Sequence, residues 1–157
     1  MSKNINQWLE EYGESHQNPK NKTIHWFCVP LIMLSLIGLL SCIAKIHFSL
    51  YNNLFYINWS IVFLFIVCIY YLTLSKSLCL GMIAVSILLL YGVKILDSVP
   101  IDLWKISIFI FIFAWIGQFI GHEIEGKKPS FLKDIQFLLI GPAWLLSFIY
   151  KKFNISL

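Results

Sequence analysis

Residues 106–131 read ISIFIFIFAWIGQFIGHEIEGKKPSF. The first sixteen carry no formal charge, and His122, Glu123, Glu125, Lys127 and Lys128 follow at once. An apolar run of about 18 residues or more is long enough to cross the hydrocarbon core of a bilayer. With Leu103 and Trp104 ahead of it, the run predicts a membrane span over about 103–121. The abrupt return of charge marks where that helix leaves the lipid, and a histidine and two glutamates stand at the boundary.

The whole chain agrees with a membrane reading. Of 157 residues, 59% are hydrophobic and 13% charged, with a mean hydropathy of +0.77; soluble domains are nearer half apolar and a quarter charged. The N-terminus, MSKNINQWLEEYGESHQ, is polar and acidic and lacks the basic-then-apolar order of a cleavable signal peptide. All twelve basic residues are lysine. Arginine is the residue suited to bidentate contacts with phosphates and bases, so nucleic-acid binding finds no support. Cys28, Cys42, Cys68 and Cys79 lie in or beside apolar runs with no CxxC pair, and read as small hydrophobic filler rather than thiolate ligands.

The expected architecture is one all-α integral membrane domain. Residues 1–23 form an N-terminal segment containing a surface helix, with Ile5, Trp8, Leu9 and Tyr12 at helical spacing. Asn18-Pro19 is a helix start signal, Asn18 as N-cap and Pro19 at the first position. Residues 24–121 make a bundle of about four transmembrane helices: 24–44 (through Pro30), 54–74, 78–95 and 103–121. Residues 122–157 carry the polar motif and a further apolar stretch at 135–150. That stretch is short for a span and interrupted by Gly141-Pro142, so it reads as a re-entrant or interfacial helical hairpin.

Four spans place the N-terminus, the 75–77 link and everything after 121 on one side. Nine of the twelve lysines fall there, and Lys45, Lys94 and Lys105 fall on the other. By the positive-inside rule the lysine-rich side is cytoplasmic. His16, His25 and His122, three of the four histidines, lie on it, while His47 reads as an interfacial residue at the far end.

Those three histidines carry the chemistry. Asn21 and His25 share one helix face, and Trp115, Gln118, His122 and Glu125 form one stripe along another helix. Ionisable groups at membrane depth are costly and by default face the bundle interior at a functional site. Neutral imidazoles beside a carboxylate suit a non-haem iron centre; interfacial anchoring is the plainer alternative. Glu123 points about 100° away from His122 and reads as solvated. Lys127 and Lys128 read as anchors that could also meet an anionic carboxylate or headgroup. Trp26, Trp115 and Trp144 read as belt or packing residues.

The segments HQNPKNKTIHWFCVP (16–30) and WIGQFIGHEIEGKKPSFLKDIQFLLIGPAWLL (115–146) resemble a family of small membrane proteins, the 2-hydroxy fatty acid α-dioxygenases typified by yeast's phytosphingosine-to-odd-numbered-fatty-acid protein. The resemblance implies a membrane-embedded Fe(II)-dependent dioxygenase. It would cleave C1–C2 of long-chain 2-hydroxy fatty acids with O2, giving a product one carbon shorter, in an α-oxidation step. It implies His16, His25 and His122 as iron ligands, Glu125 as a catalytic group, either a fourth ligand or a supporting base, and Asn21 as a catalytic group that orients ligands or substrate. Asn18, Gln118 and Lys127 would meet the substrate, whose tail would lie among the spans. No organic cofactor is implied. An inner-membrane bacterial relative, with the site at the cytoplasmic face, is the expected setting, and oligomer formation is compatible with it.

Three other readings compete. A di-iron hydroxylase or desaturase needs about eight or more histidines, twice the number present. A haem protein needs histidines facing each other across an apolar slot. A non-enzymatic lipid-sensing or partner-binding helical module needs no metal, and predicts that the three histidines do not come together in space, or converge on nothing.

Overall fold

The computed structural model describes residues 3–44, 46–50, 53–128 and 136–157. Pro129, Ser130, Phe131 and Lys133, part of the motif and of the lysine count, lie outside the described residues. The chain begins with α1 (Ile5–Gly13), opened by a capping box in which Asn4 and Gln7 each satisfy the other's backbone N–H. Its buried face is Ile5, Trp8 and Tyr12, as the spacing predicts. The Asn18-Pro19 signal holds: α2 (Pro19–Ser41) starts there, with the Asn18 side chain accepting from the Lys20 N–H at 2.9 Å. It runs through Pro30 without ending.

Helices α4 (Lys76–Asp97) and α5 (Leu103–Glu125), with α2, are long and apolar enough to cross a membrane. Helix α5 extends past the apolar run, so His122 and Glu125 are helical, and Gly126 closes it in the left-handed conformation at φ 71°. The link before α4 is Ser75 alone, which ends α3 and caps α4 through its hydroxyl.

The expected span at 54–74 needs correction. Its first residues belong to an antiparallel hairpin, β1 (Ile46–Leu50) with β2 (Asn53–Ile57), His47 paired with Tyr56. Helix α3 (Trp59–Leu74) begins only after Asn58, whose side chain caps it. Ile46, Phe48, Phe55, Tyr56 and Ile57 are β-branched or aromatic types that favour strand over helix here. The 16 residues left give α3 a length of about 24 Å, short of the hydrocarbon core.

The C-terminal segment is also different from expectation. Residues 137–152 form one helix, α6 (Phe137–Lys152), that continues through Pro142, so there is no hairpin break. Pro142 offers no N–H to the Leu138 carbonyl one turn back, and the helix is tied to α3 at the next residue, where the Tyr71 hydroxyl donates to the Leu139 carbonyl at 2.6 Å. Helix α6 does not cross the bundle. Phe137 packs on Trp8 and Tyr12, and the Tyr150 hydroxyl donates to the Ser77 carbonyl at 2.6 Å. Both ends therefore lie where α2 and α4 begin and α3 and α5 end. That end, closed by α1 and α6, contains two buried clusters, Ile5–Tyr71–Leu78–Met82–Ala143–Tyr150 and Trp8–Tyr12–Val29–Phe137–Ile140–Trp144.

Helices α2 and α5 approach closely because small residues line their seam. A methyl group at Gly117 would stand 2.6 Å from Cys28 Sγ, and one at Gly121 would strike Asn21 Oδ1. This GxxxG spacing lets two membrane helices touch backbone to backbone, and it registers Asn21 and His25 against His122.

Candidate metal centre

His16 sits in the turn between α1 and α2, where its N–H donates to the Gly13 carbonyl at 2.9 Å. Its ring stacks on Tyr12, centroids 4.2 Å apart and 11° from parallel, and meets Trp144 at 5.2 Å. His25 comes from α2 and His122 from α5. The three ring centroids are 4.3, 4.9 and 5.0 Å apart, and all three residues are buried. Each offers a nitrogen within 4.8 Å of the others.

The hydrogen bonds fix how these rings can be used. His16 Nδ1 donates to the Tyr12 carbonyl at 2.6 Å, and His25 Nδ1 donates to the Asn21 carbonyl at 3.0 Å. Carbonyls only accept, so both protons are on Nδ1 and both Nε2 atoms present lone pairs. Those two Nε2 atoms face each other at 2.9 Å. Two lone pairs at that distance repel unless a proton or a metal ion joins them. The proton is disfavoured, because burial and then the nearby His25 pull His16 down to about 3 against the raising effect of the Tyr12 carbonyl. A metal ion fits: two nitrogens about 2.1 Å from one ion, roughly at right angles, stand about 3 Å apart. Neutral imidazoles held by second hydrogen bonds to carbonyls are the usual form of such ligands.

Glu125 does not join this cluster. Its Oε1 accepts from the Gln17 N–H at 2.7 Å, and its Oε2 accepts from the Asn18 N–H at 2.8 Å and Asn21 Nδ2 at 3.0 Å. The carboxylate thus clasps the turn that carries His16 to the start of α2.

A family model described as 2-hydroxy-palmitic acid dioxygenase Mpo1-like matches residues 2–153. The chain belongs to the Mpo1-like family. It is 31% identical over 147 residues to the 2-hydroxy-palmitic acid dioxygenase MPO1 of Saccharomyces cerevisiae, covering 89% of this chain and 76% of the yeast protein. No solved structure matches.

The other expected site residues of this Mpo1-like chain are divided. Asn21 is buried, its amide donating to Glu125 and, at 3.3 Å, to the Ser15 carbonyl. Gln118 is buried beside the histidines and lines a pocket with His122. Asn18 spends its side chain on capping α2. Lys127 is exposed and donates to the Glu14 carbonyl at 2.6 Å. Trp26 is 40% exposed, Trp144 packs in the core, and Trp115 lines the pocket.

Tyr12 was not expected at the centre. It supplies the carbonyl and the stacking ring for His16 and lines the pocket, and its position four residues before His16 on a helical face was the available signal. The pocket wall of Val29, Ile32, Met33, Phe137 and Leu138 also escaped sequence reading, since each is an ordinary apolar residue on an apolar helix, and Gly141-Pro142, noted only as a break, lines the pocket too. The three histidines converge, which removes the version of the non-enzymatic module in which they lie apart.

Proposed function

We propose that this chain is an Fe(II)-dependent dioxygenase embedded in a membrane, which cleaves the C1–C2 bond of a long-chain 2-hydroxy fatty acid and yields an acid one carbon shorter. The observation that carries the reading is the pair of Nε2 lone pairs turned on each other at 2.9 Å with a third buried histidine beside them. The yeast relative's name supplies the substrate class and reaction type.

In this reading His16, His25 and His122 hold the iron, which when bound would activate O2 for the bond cleavage. The Tyr12 and Asn21 carbonyls keep the His16 and His25 protons on Nδ1 and leave Nε2 free. Asn21 and Glu125 act by position, tying the His16 turn to α2 and α5. The cap formed by Tyr12 and Trp144 keeps water from His16. Asn18 serves through its N–H contact with Glu125, and Lys127 offers a positive charge near the His16 turn that an approaching carboxylate could meet before it enters.

The site end of the bundle has the lysine excess, so we place it at the cytoplasmic face of a bacterial inner membrane. The test is metal analysis of protein purified without oxygen and loaded with Fe(II), followed by turnover of 2-hydroxypalmitate. About one iron per chain in the wild type, absent in His25→Ala, with release of the shorter acid, is the expected result. A wild type that takes up no metal sinks the proposal.

A further inference from the structure

Two stripes leave the histidine cluster side by side. On α2, His25, Val29 and Ile32 follow at intervals of four and three; on α5, His122, Gln118 and Trp115 do the same in reverse. Because α2 starts and α5 ends at the site, both stripes run into the membrane-spanning part, to about 10 Å from the histidines. Between them and α6 lies the pocket lined by Val29, Ile32, Met33, Trp115, Phe137 and Leu138. Its polar residues are Tyr12, Gln118 and His122, at the histidine end.

We propose that this pocket takes the alkyl chain of the substrate sideways from the bilayer, with the Gln118 amide donating to its head group and Ile32 and Trp115 limiting the chain accepted. The proposal rests on the dioxygenase reading above and names the binding mode at that site.

Three observations carry it. Gln118 is 5% exposed, yet its amide nitrogen has no hydrogen-bond partner. A buried donor left unmatched is costly unless something that comes and goes completes it, and a carboxylate or 2-hydroxyl oxygen is such a partner. The wall beyond Gln118 is apolar, suited to methylenes that need no polar contact. The mouth is on the outer surface of the bundle: Leu138 is 42% exposed, and Ile32 and Trp115 are partly exposed. That mouth opens at membrane depth, where a single-chain amphiphile already resides.

The test uses full-length protein in lipid nanodiscs and a 2-hydroxy acid carrying a diazirine on its chain. On illumination, wild type should be labelled at α2 and α6 pocket residues, and Ile32→Trp or Leu138→Trp should remove most of that labelling. Ile83→Trp, on the outer face of α4, should not. In turnover, Ile32→Trp should lower kcat/KM for long chains by about tenfold, the loss of roughly two buried methylenes, and leave short chains within about twofold. Gln118→Leu should raise KM at every length with a smaller change in kcat. Labelling spread evenly over the lipid-facing surface, or mouth variants that leave both labelling and chain preference intact, overturns the pocket. Pocket labelling with no turnover by any iron-loaded form leaves the pocket standing and removes the dioxygenase reading instead.

Discussion

Glu125 accepts hydrogen bonds from the Gln17 and Asn18 N–H groups and from the Asn21 amide, so both its oxygens are committed to the turn that carries His16. A charged acceptor with several donors is stronger than its neutral counterpart. Glu125→Gln should therefore keep the fold but loosen the turn, lowering metal affinity by about 10–100-fold, the usual cost of losing a group that orients ligands. Competitive chelator titration would measure it; an unchanged affinity would show that the clasp does not govern the site. Two glycines give a sharper contrast. Gly121→Ala should displace Asn21 and diminish metal binding, because its methyl group would strike the Asn21 oxygen. Gly126→Ala meets open space and should cost only about 1 kcal/mol, through its positive φ, with metal binding retained. The histidines, Asn21, Gln118 and Glu125 were readable because polar residues beside apolar runs stand out. The carbonyls of Tyr12 and Asn21, which decide the histidine tautomers, were not, since every residue has a carbonyl and only the fold selects two.

Among the elements, α6 is the one whose sequence was most ambiguous. A sixteen-residue apolar stretch with Gly-Pro at its centre is compatible with a span, a hairpin or a buried helix, and only its partners decide. Those partners include two tyrosine hydroxyls, Tyr71 on the Leu139 carbonyl and Tyr150 on the Ser77 carbonyl. Tyr71→Phe and Tyr150→Phe should each destabilise the protein by about 1 kcal/mol. A lower denaturation midpoint in detergent with unchanged slope would report it. The hairpin at 46–57 was missed for a related reason: its apolar residues join the next helix in any hydropathy window, and the helix start was marked only by Asn58. By contrast α2, α4 and α5 were clear, since long apolar helices with caps leave little else for those residues to be.

For the whole molecule, two outcomes are expected. The first concerns sidedness. Cys42, just past the end of α2, is exposed at the end away from the histidines, whereas Cys28 and Cys79 are buried. A membrane-impermeant maleimide should label Cys42 in intact cells without permeabilisation; labelling only in inverted vesicles would reverse the proposed orientation. The second concerns linkage. A ligand that binds only the folded chain raises stability by about 2.7 kcal/mol at a hundred times its Kd, so Fe(II) should raise the melting temperature in proportion to its logarithmic concentration. His16→Ala should lose this response. The family and the general helical layout were both visible in the sequence, but the depth of the pocket was not, because it depends on how far α6 settles between helices encoded long before it.

The Gln17–Glu125 hydrogen bond joins residues 108 positions apart in the sequence. A ribosome adding about 5–20 residues per second needs on the order of five to twenty seconds to make that stretch. Through that interval the first two histidines exist without the third, and without the carboxylate that holds their turn. On the dioxygenase reading proposed above, a half-made chain would be a poor trap for iron, and the ion would be retained only once α5 has been inserted. Insertion of α5 would then license the proposed oxygen chemistry, a safeguard that follows from the order of the sequence.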